Sequence, residues 1–181
     1  MSNKKYLPPA NEFTPNVVDL IFCLDCIEKS SDDADFRNNV RNEYFLGHAK
    51  TRTDAEERKK QQLTLAGNVL IGLRGYKLVS EGDLALTETG KRILDNFSES
   101  QQIFAVHLIE VLCGQELLLA MEDLASRSIS RRNKAELANV LNSYGLRTKT
   151  GKPISQTTTD HTKFATWMQW CGLLNSSDEI D

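Results

Sequence analysis

The stretch from Lys134 to Leu174 constrains this chain more than any other. Leu137, Val140 and Leu141 recur at helical spacing, which predicts a short helix with one apolar side. Tyr144-Gly145 ends it, because glycine tolerates the left-handed conformation found just past helix C-termini. A polar and basic loop follows, Arg147-Thr148-Lys149-Thr150-Gly151-Lys152-Pro153, and Ser155 is placed to cap a second helix. In that helix Phe164, Trp167, Met168 and Cys171 fall at i, i+3, i+4 and i+7 and form one buried stripe. Thr158, Thr159, Thr162, Lys163 and Thr166 lie largely away from it.

Two short helices meeting through a turn, with a small polar residue at the start of the second, are the pattern of a helix-turn-helix. In that motif the second helix enters the major groove of DNA with its N-terminal residues toward base edges. Arg131, Arg132, Arg147, Lys149, Lys152 and Lys163 are expected to meet phosphates. Gln156, Asn133 and the threonines Thr148, Thr157, Thr158, Thr159 and Thr162 are expected to bond base edges, with Ser155 and His161 completing the DNA-facing set. The plainer alternative is a solvated helix pair whose hydroxyls only cap. Charge and cap coincide at one helix start, which favours the DNA reading.

The run LNSYGLRTKTGKPIS, followed by a threonine-rich helix start, resembles the DNA-binding region that follows the catalytic domain of large serine recombinases. The likeness covers about twenty residues and implies only a local helix-loop-helix, since no recombinase catalytic domain accompanies it.

Charge is unevenly placed. The chain carries a net charge of −3, which argues against a protein that coats nucleic acid indiscriminately. From Arg127 to Lys163, however, eight Lys or Arg stand against two acids, whereas from Met1 to Phe36 three stand against seven. A basic face on an acidic body directs DNA to one side.

Residues 1–12 are expected to form an extended arm, because Pro8-Pro9 oppose helix. Thr14 then caps a helix with Pro15 in its first turn and an apolar stripe of Val17, Leu20, Ile21, Leu24 and Ile27. Phe36, Val40, Tyr44 and Phe45 predict a second helix ending near Gly47. Thr53 opens a third with Glu56 three residues on, a capping box, and Leu63, Ala66, Leu70 and Leu73 give its buried side. Tyr76-Lys77-Leu78-Val79 and Leu84-Ala85-Leu86 flank a Ser-Glu-Gly-Asp turn and read as a small hairpin, after which Thr87 caps a further helix.

This order, with Leu86-Thr87 and Gly90 after the turn, resembles the back half of a winged-helix domain over roughly Thr53 to Phe97. The resemblance implies a recognition helix at Thr53–Arg74, carrying Arg58 and Lys59 toward DNA, and a wing near Ser80–Asp83. Asp54, Glu56 and Glu57 bring that helix start close to neutrality, so this first unit suits a protein contact as well as DNA. Ser98 to Ala125 is apolar on nearly all sides and is expected to be a buried hub joining both halves, broken at Gly114, with His107 a core histidine.

Catalytic patterns are weak. Glu57-Arg58-Lys59 has the acid-x-Lys order of a nuclease but sits in a helical pattern, where a solvated face explains it. The three histidines lack metal spacing, and no phosphate-cradling glycine loop or nucleophile elbow occurs. Cys23 and Cys26 have the spacing of a zinc half-site, yet Cys113 and Cys171 stand alone, so buried free thiols in a reducing cytoplasm are expected. Met1 to Asn16 has no secretory character, and no apolar run is long enough for a membrane.

The expected fold is therefore mainly α: two winged-helix or helix-turn-helix units, 1–97 with the N-terminal arm and 98–181, joined by a buried central helix. The expected function is sequence-specific binding of double-stranded DNA without catalysis, cofactor or metal. The tandem arrangement resembles the recognition half of modular restriction endonucleases. Only seven residues follow Leu174, too few for a second wing, so the chain is expected to be part of a longer protein with a C-terminal catalytic domain or a partner protein. A homodimeric winged-helix transcription regulator and a protein-binding adaptor are the alternatives.

Overall fold

The structure, a computed structural model, describes residues 5–9, 12–48, 54–129 and 133–175. It is mainly helical and divides into two compact units, one of Asn11–Ser100 and one of Met1–Ala10 with Gln101–Asp181.

The first unit contains α1 (Leu20–Lys29), α2 (Asp33–Val40), α3 (Ala55–Gly75) and α4 (Glu88–Asp95). Its first helix starts later than its apolar pattern predicts. Thr14 is buried in a turn that receives the amides of Val17 and Val18, and Asp19 caps α1 by accepting from Phe22 N at 2.7 Å. Val17 is left exposed, while Leu20, Leu24 and Ile27 go to the core. A side-chain cap decides the start, since a proline-turn alone satisfies too few of the first amides. Asp32 caps α2 through Ala34 N and Asp35 N, and the chain then widens into a π-type turn over Arg41–Phe45 that buries Phe45.

The expected cap Thr53 lies outside the described residues; Asp54 accepts from Glu56 N at 2.8 Å and starts α3. The inward face of α3 also differs from the apolar pattern. Gln62, not Leu63, is buried, and its amide is fully used: it accepts from Arg41 Nε at 3.0 Å and donates to Leu46 O and His48 O. A buried amide is tolerated because every polar atom is matched. The predicted hairpin shrinks to one antiparallel bridge, Val79 to Leu86, and Thr87 caps α4 by accepting from Gly90 N. Arg74 ties this region together, forking onto Asp33 at 3.0 and 3.2 Å while its Nε donates to Ser80 O.

The second unit contains α5 (Ser100–Glu110, its first residue counted with the other unit), α6 (Gly114–Ser126), α7 (Lys134–Ser143), α8 (Asp160–Trp170) and two short strands, β1 (Lys5–Tyr6) and β2 (Leu146–Arg147). The long apolar segment breaks at Gly114, as expected, but is not buried on all sides. It bends by 81° between Glu110 and Gly114, and Val106, Val111 and Leu119 remain exposed. A Cβ on Gly114 would lie 2.6 Å from Leu108 O, so only glycine lets the chain turn back on itself there. His107 is buried and stacked 6.3 Å from the Phe104 ring, and Phe104 meets Trp167 edge-on at 5.4 Å. The predicted stripe of α8 is inside: Phe164, Trp167 and Met168 are buried and Cys171 is half-buried.

The N-terminal arm belongs with this second unit rather than with residues 12–97. β1 pairs in parallel with β2, Lys5 opposite Leu146 and Tyr6 opposite Arg147, and Leu7 is buried beyond it. Sequence order favours attachment to the nearest helix; backbone pairing with a distant strand overrides it, because each extended amide needs an acceptor. No single helix among the described residues is long and apolar enough to cross a membrane.

Candidate nucleic-acid interface

The site is built on the connection between α7 and α8. Asn133 starts α7 by accepting from Glu136 N at 3.3 Å, so its side chain serves as a helix cap instead of the expected base contact. Leu137, Ala138, Val140 and Leu141 turn inward, and Gly145 follows the helix with φ +82°. The connection to α8 is far longer than the three or four residues of a tight helix-turn-helix.

That connection is held by its own polar side chains. Asn142 Nδ2 donates to Ile154 O and Ile154 N donates to Asn142 Oδ1, both at 2.9 Å. Ile154 itself is buried. Between them the chain makes a tight turn. Thr148 N donates to Lys152 O, Gly151 N donates to Thr148 O, and Lys152 N donates to Thr148 Oγ1. Thr148 is thus spent on the turn. Lys149 and Lys152 are exposed on it.

Arg147 does not project as expected. Its Nη1 donates to Leu146 O at 2.6 Å, Asn142 O at 3.1 Å and Asn142 Oδ1 at 3.3 Å, neutralising the carbonyl end of α7. Such a group sets the shape of the loop and has less freedom to reach a phosphate.

Ser155 does not cap α8. Its hydroxyl lies 3.0 Å from Thr157 Oγ1 and 3.2 Å from Thr158 Oγ1, and Thr158 N donates to Ser155 O, closing a separate turn. The helix begins at Asp160, with Thr159 at the cap position making no side-chain bond. Gln156 and Thr157 therefore stand in the lead-in to α8, exposed along with Thr159 and Thr162. His161 is buried, and its Nδ1 has no hydrogen-bond partner among the described residues. Burial lowers its pKa, against a smaller upward pull from Asp160, so the ring is neutral at physiological pH. It forms part of a shallow groove of about 160 Å³ shared with Lys134, Leu137, Gln156, Thr159 and Thr162. A buried ring cannot read a base edge directly, which removes His161 from the expected contact set.

Lys163 is half-buried on α8, and Arg131 and Arg132 lie outside the described residues. Arg58 and Lys59 belong to the other unit, on the first turns of α3. There Lys59 and Lys60 line an open cleft of about 330 Å³ with Arg37 and Glu56. The residue that sequence reasoning passed over is Asn142. A single Asn at the end of a helix carries no signal of its own until the distant partner, Ile154, is known.

Among the described residues no three His, Cys, Asp or Glu side chains converge as metal ligands do. All four cysteines are free. Burial pushes the Cys113 and Cys171 thiols up to about 12 and raises those of Cys23 and Cys26, so all four stay protonated and poorly nucleophilic. Comparison with known proteins returns no family model, no curated protein and no solved structure that matches this chain.

Proposed function

We propose that this chain is a sequence-specific double-stranded DNA-binding module whose second unit carries the reading surface. One observation supports this most: Lys149 and Lys152 stand exposed on a hydrogen-bonded turn shortly before a polar lead-in, where Gln156, Thr157 and Thr159 are exposed, to a helix start with no side-chain cap. Cations on a fixed turn suit phosphates and set register. The amide of Gln156 suits an adenine edge, with the hydroxyls of Thr159 and Thr162 as further donors and acceptors.

In this reading the first unit is a winged helix. The long α3, the Val79–Leu86 bridge around Ser80–Asp83 and the Arg74 fork support that order of parts. The pair of units would serve as the target-recognition part of a restriction endonuclease or a similar modular DNA enzyme in the cytoplasm, the cutting being done by a domain or partner elsewhere. The test is a titration with a random-sequence duplex pool at two salt concentrations, followed by sequencing of the bound fraction. Salt-sensitive binding with an enriched motif is expected. Absence of binding at low salt overturns the reading and favours a protein-binding adaptor.

A further inference from the structure

The N-terminal strand delivers an aromatic side chain to the basic turn. Lys5 N donates to Gly145 O at 3.3 Å and Leu7 N donates to Arg147 O at 2.8 Å, so Tyr6 is fixed between two backbone anchors. Leu7 and Pro8 are buried beyond it, yet Tyr6 is 52% exposed. Its ring comes up to Gly151: a Cβ there would sit 3.5 Å from Tyr6 Cε1. Gly151 has φ +80°, the left-handed conformation that favours glycine in this turn. Lys149 and Lys152 stand in the same turn as Gly151 and are exposed. Lys5, beside it on the strand, is paired with Glu116 at 3.6 Å.

We propose that Tyr6 is a DNA-backbone contact. Its ring packs against a deoxyribose, and its hydroxyl donates to a phosphate of the same duplex that Lys149 and Lys152 hold. Tyrosine suits this position because an apolar body and a hydroxyl tip match a sugar and its phosphate. The inference rests on the DNA-binding reading above and extends the contact surface to the opposite end of the chain.

The test uses the full chain with Tyr6→Ala, Tyr6→Phe, and p-benzoylphenylalanine in place of Tyr6 as a photocrosslinker, against a duplex that the unaltered protein binds. Tyr6→Ala is expected to weaken binding roughly fivefold to tenfold, about the worth of one hydrogen bond with its apolar contact, and Tyr6→Phe by less. The enriched motif stays the same, since backbone contacts carry no base identity. The photocrosslinker is expected to attach to a DNA strand, a result that holds even if Tyr6→Ala folds poorly. Unchanged affinity of a folded Tyr6→Ala, with no crosslink, overturns this inference and leaves the DNA reading standing. Failure of the unaltered chain to bind any duplex overturns both.

Discussion

Asn142 and Ile154 are bonded in both directions, amide to carbonyl and backbone amide to side-chain oxygen, each at 2.9 Å. The side chain acts like one residue of a β-ladder and fixes where the basic turn leaves α7. Replacing Asn142 by Asp keeps the acceptor but sets a carboxylate against Ile154 O. Asn142→Asp is expected to cost about 1–3 kcal/mol in urea denaturation and to weaken duplex binding at low salt. Stability and binding equal to those of the unaltered chain would show that the bracket is dispensable.

A second prediction concerns the first unit. A Cβ on Gly72 would fall 2.3 Å from Phe13 Cβ, and Phe13 is buried with its ring 5.3 Å from Tyr76. Both partners are fixed, Gly72 inside α3 and Phe13 in the core, so neither side yields cheaply. Gly72→Ala is expected to destabilise the chain by about 1–3 kcal/mol despite the higher helix propensity of alanine. A calorimetric midpoint at or above that of the unaltered protein would contradict it.

Apolar spacing was a sound guide where one face decides, and a poor one where a side-chain bond decides. The α8 stripe of Phe164, Trp167 and Met168 and the α7 stripe of Leu137, Val140 and Leu141 both go inside, because burial of large side chains outweighs local alternatives. The start of α8 falls later than the apolar pattern and Ser155 suggest, because Ser155 bonds Thr157 and Thr158 and closes its own turn before the helix begins. The arm pairs away from its sequence neighbours because the partner of β1 is β2, far along the chain, and pairing at that distance leaves no periodic trace. Of the expected DNA-facing side chains, Lys149, Lys152, Gln156, Thr157, Thr159 and Thr162 are exposed, while Asn133 caps α7, Thr148 and Arg147 bond within the loop, and His161 is buried.

The buried His161 makes stability depend on pH. Its folded pKa lies below the ordinary value of 6.5, chiefly through burial, so the unfolded chain binds the proton more readily. This contribution is complete above about pH 6.5 and is lost as pH falls through the unfolded pKa toward the folded one. The melting midpoint is expected to drop between about pH 7 and about pH 5 more steeply in the unaltered chain than in His161→Gln. Parallel pH profiles would mean that His161 titrates alike in both states.

The basic turn yields a prediction in salt. Each lysine that neutralises a phosphate contributes about 0.9 to the slope of log affinity against log salt. Lys149→Ala and Lys152→Ala are each expected to reduce that slope by about one and to weaken binding to all duplexes alike. Gln156→Ala is expected instead to leave the slope in place and relax preference at particular base pairs. An unchanged slope in the Lys149→Ala, Lys152→Ala double variant would place the phosphate contacts elsewhere.

Arg147 separates the two kinds of residue in this loop. Its sequence neighbourhood assigns it to phosphate, whereas its Nη1 meets three oxygens around the end of α7, one of them on the Asn142 bracket. Loss of the guanidinium leaves those carbonyls to water and loosens the bracket, a cost of about 1–2 kcal/mol for a half-buried, charge-assisted set of bonds. Arg147→Ala is therefore expected to lower the unfolding midpoint and to weaken DNA binding with the salt slope nearly intact. Arg147→Lys should recover little, since an ammonium cannot span the same carbonyls in one plane. A slope reduced by one, with stability unchanged, would return Arg147 to the phosphate-binding set and show that its inward bonds release when DNA arrives.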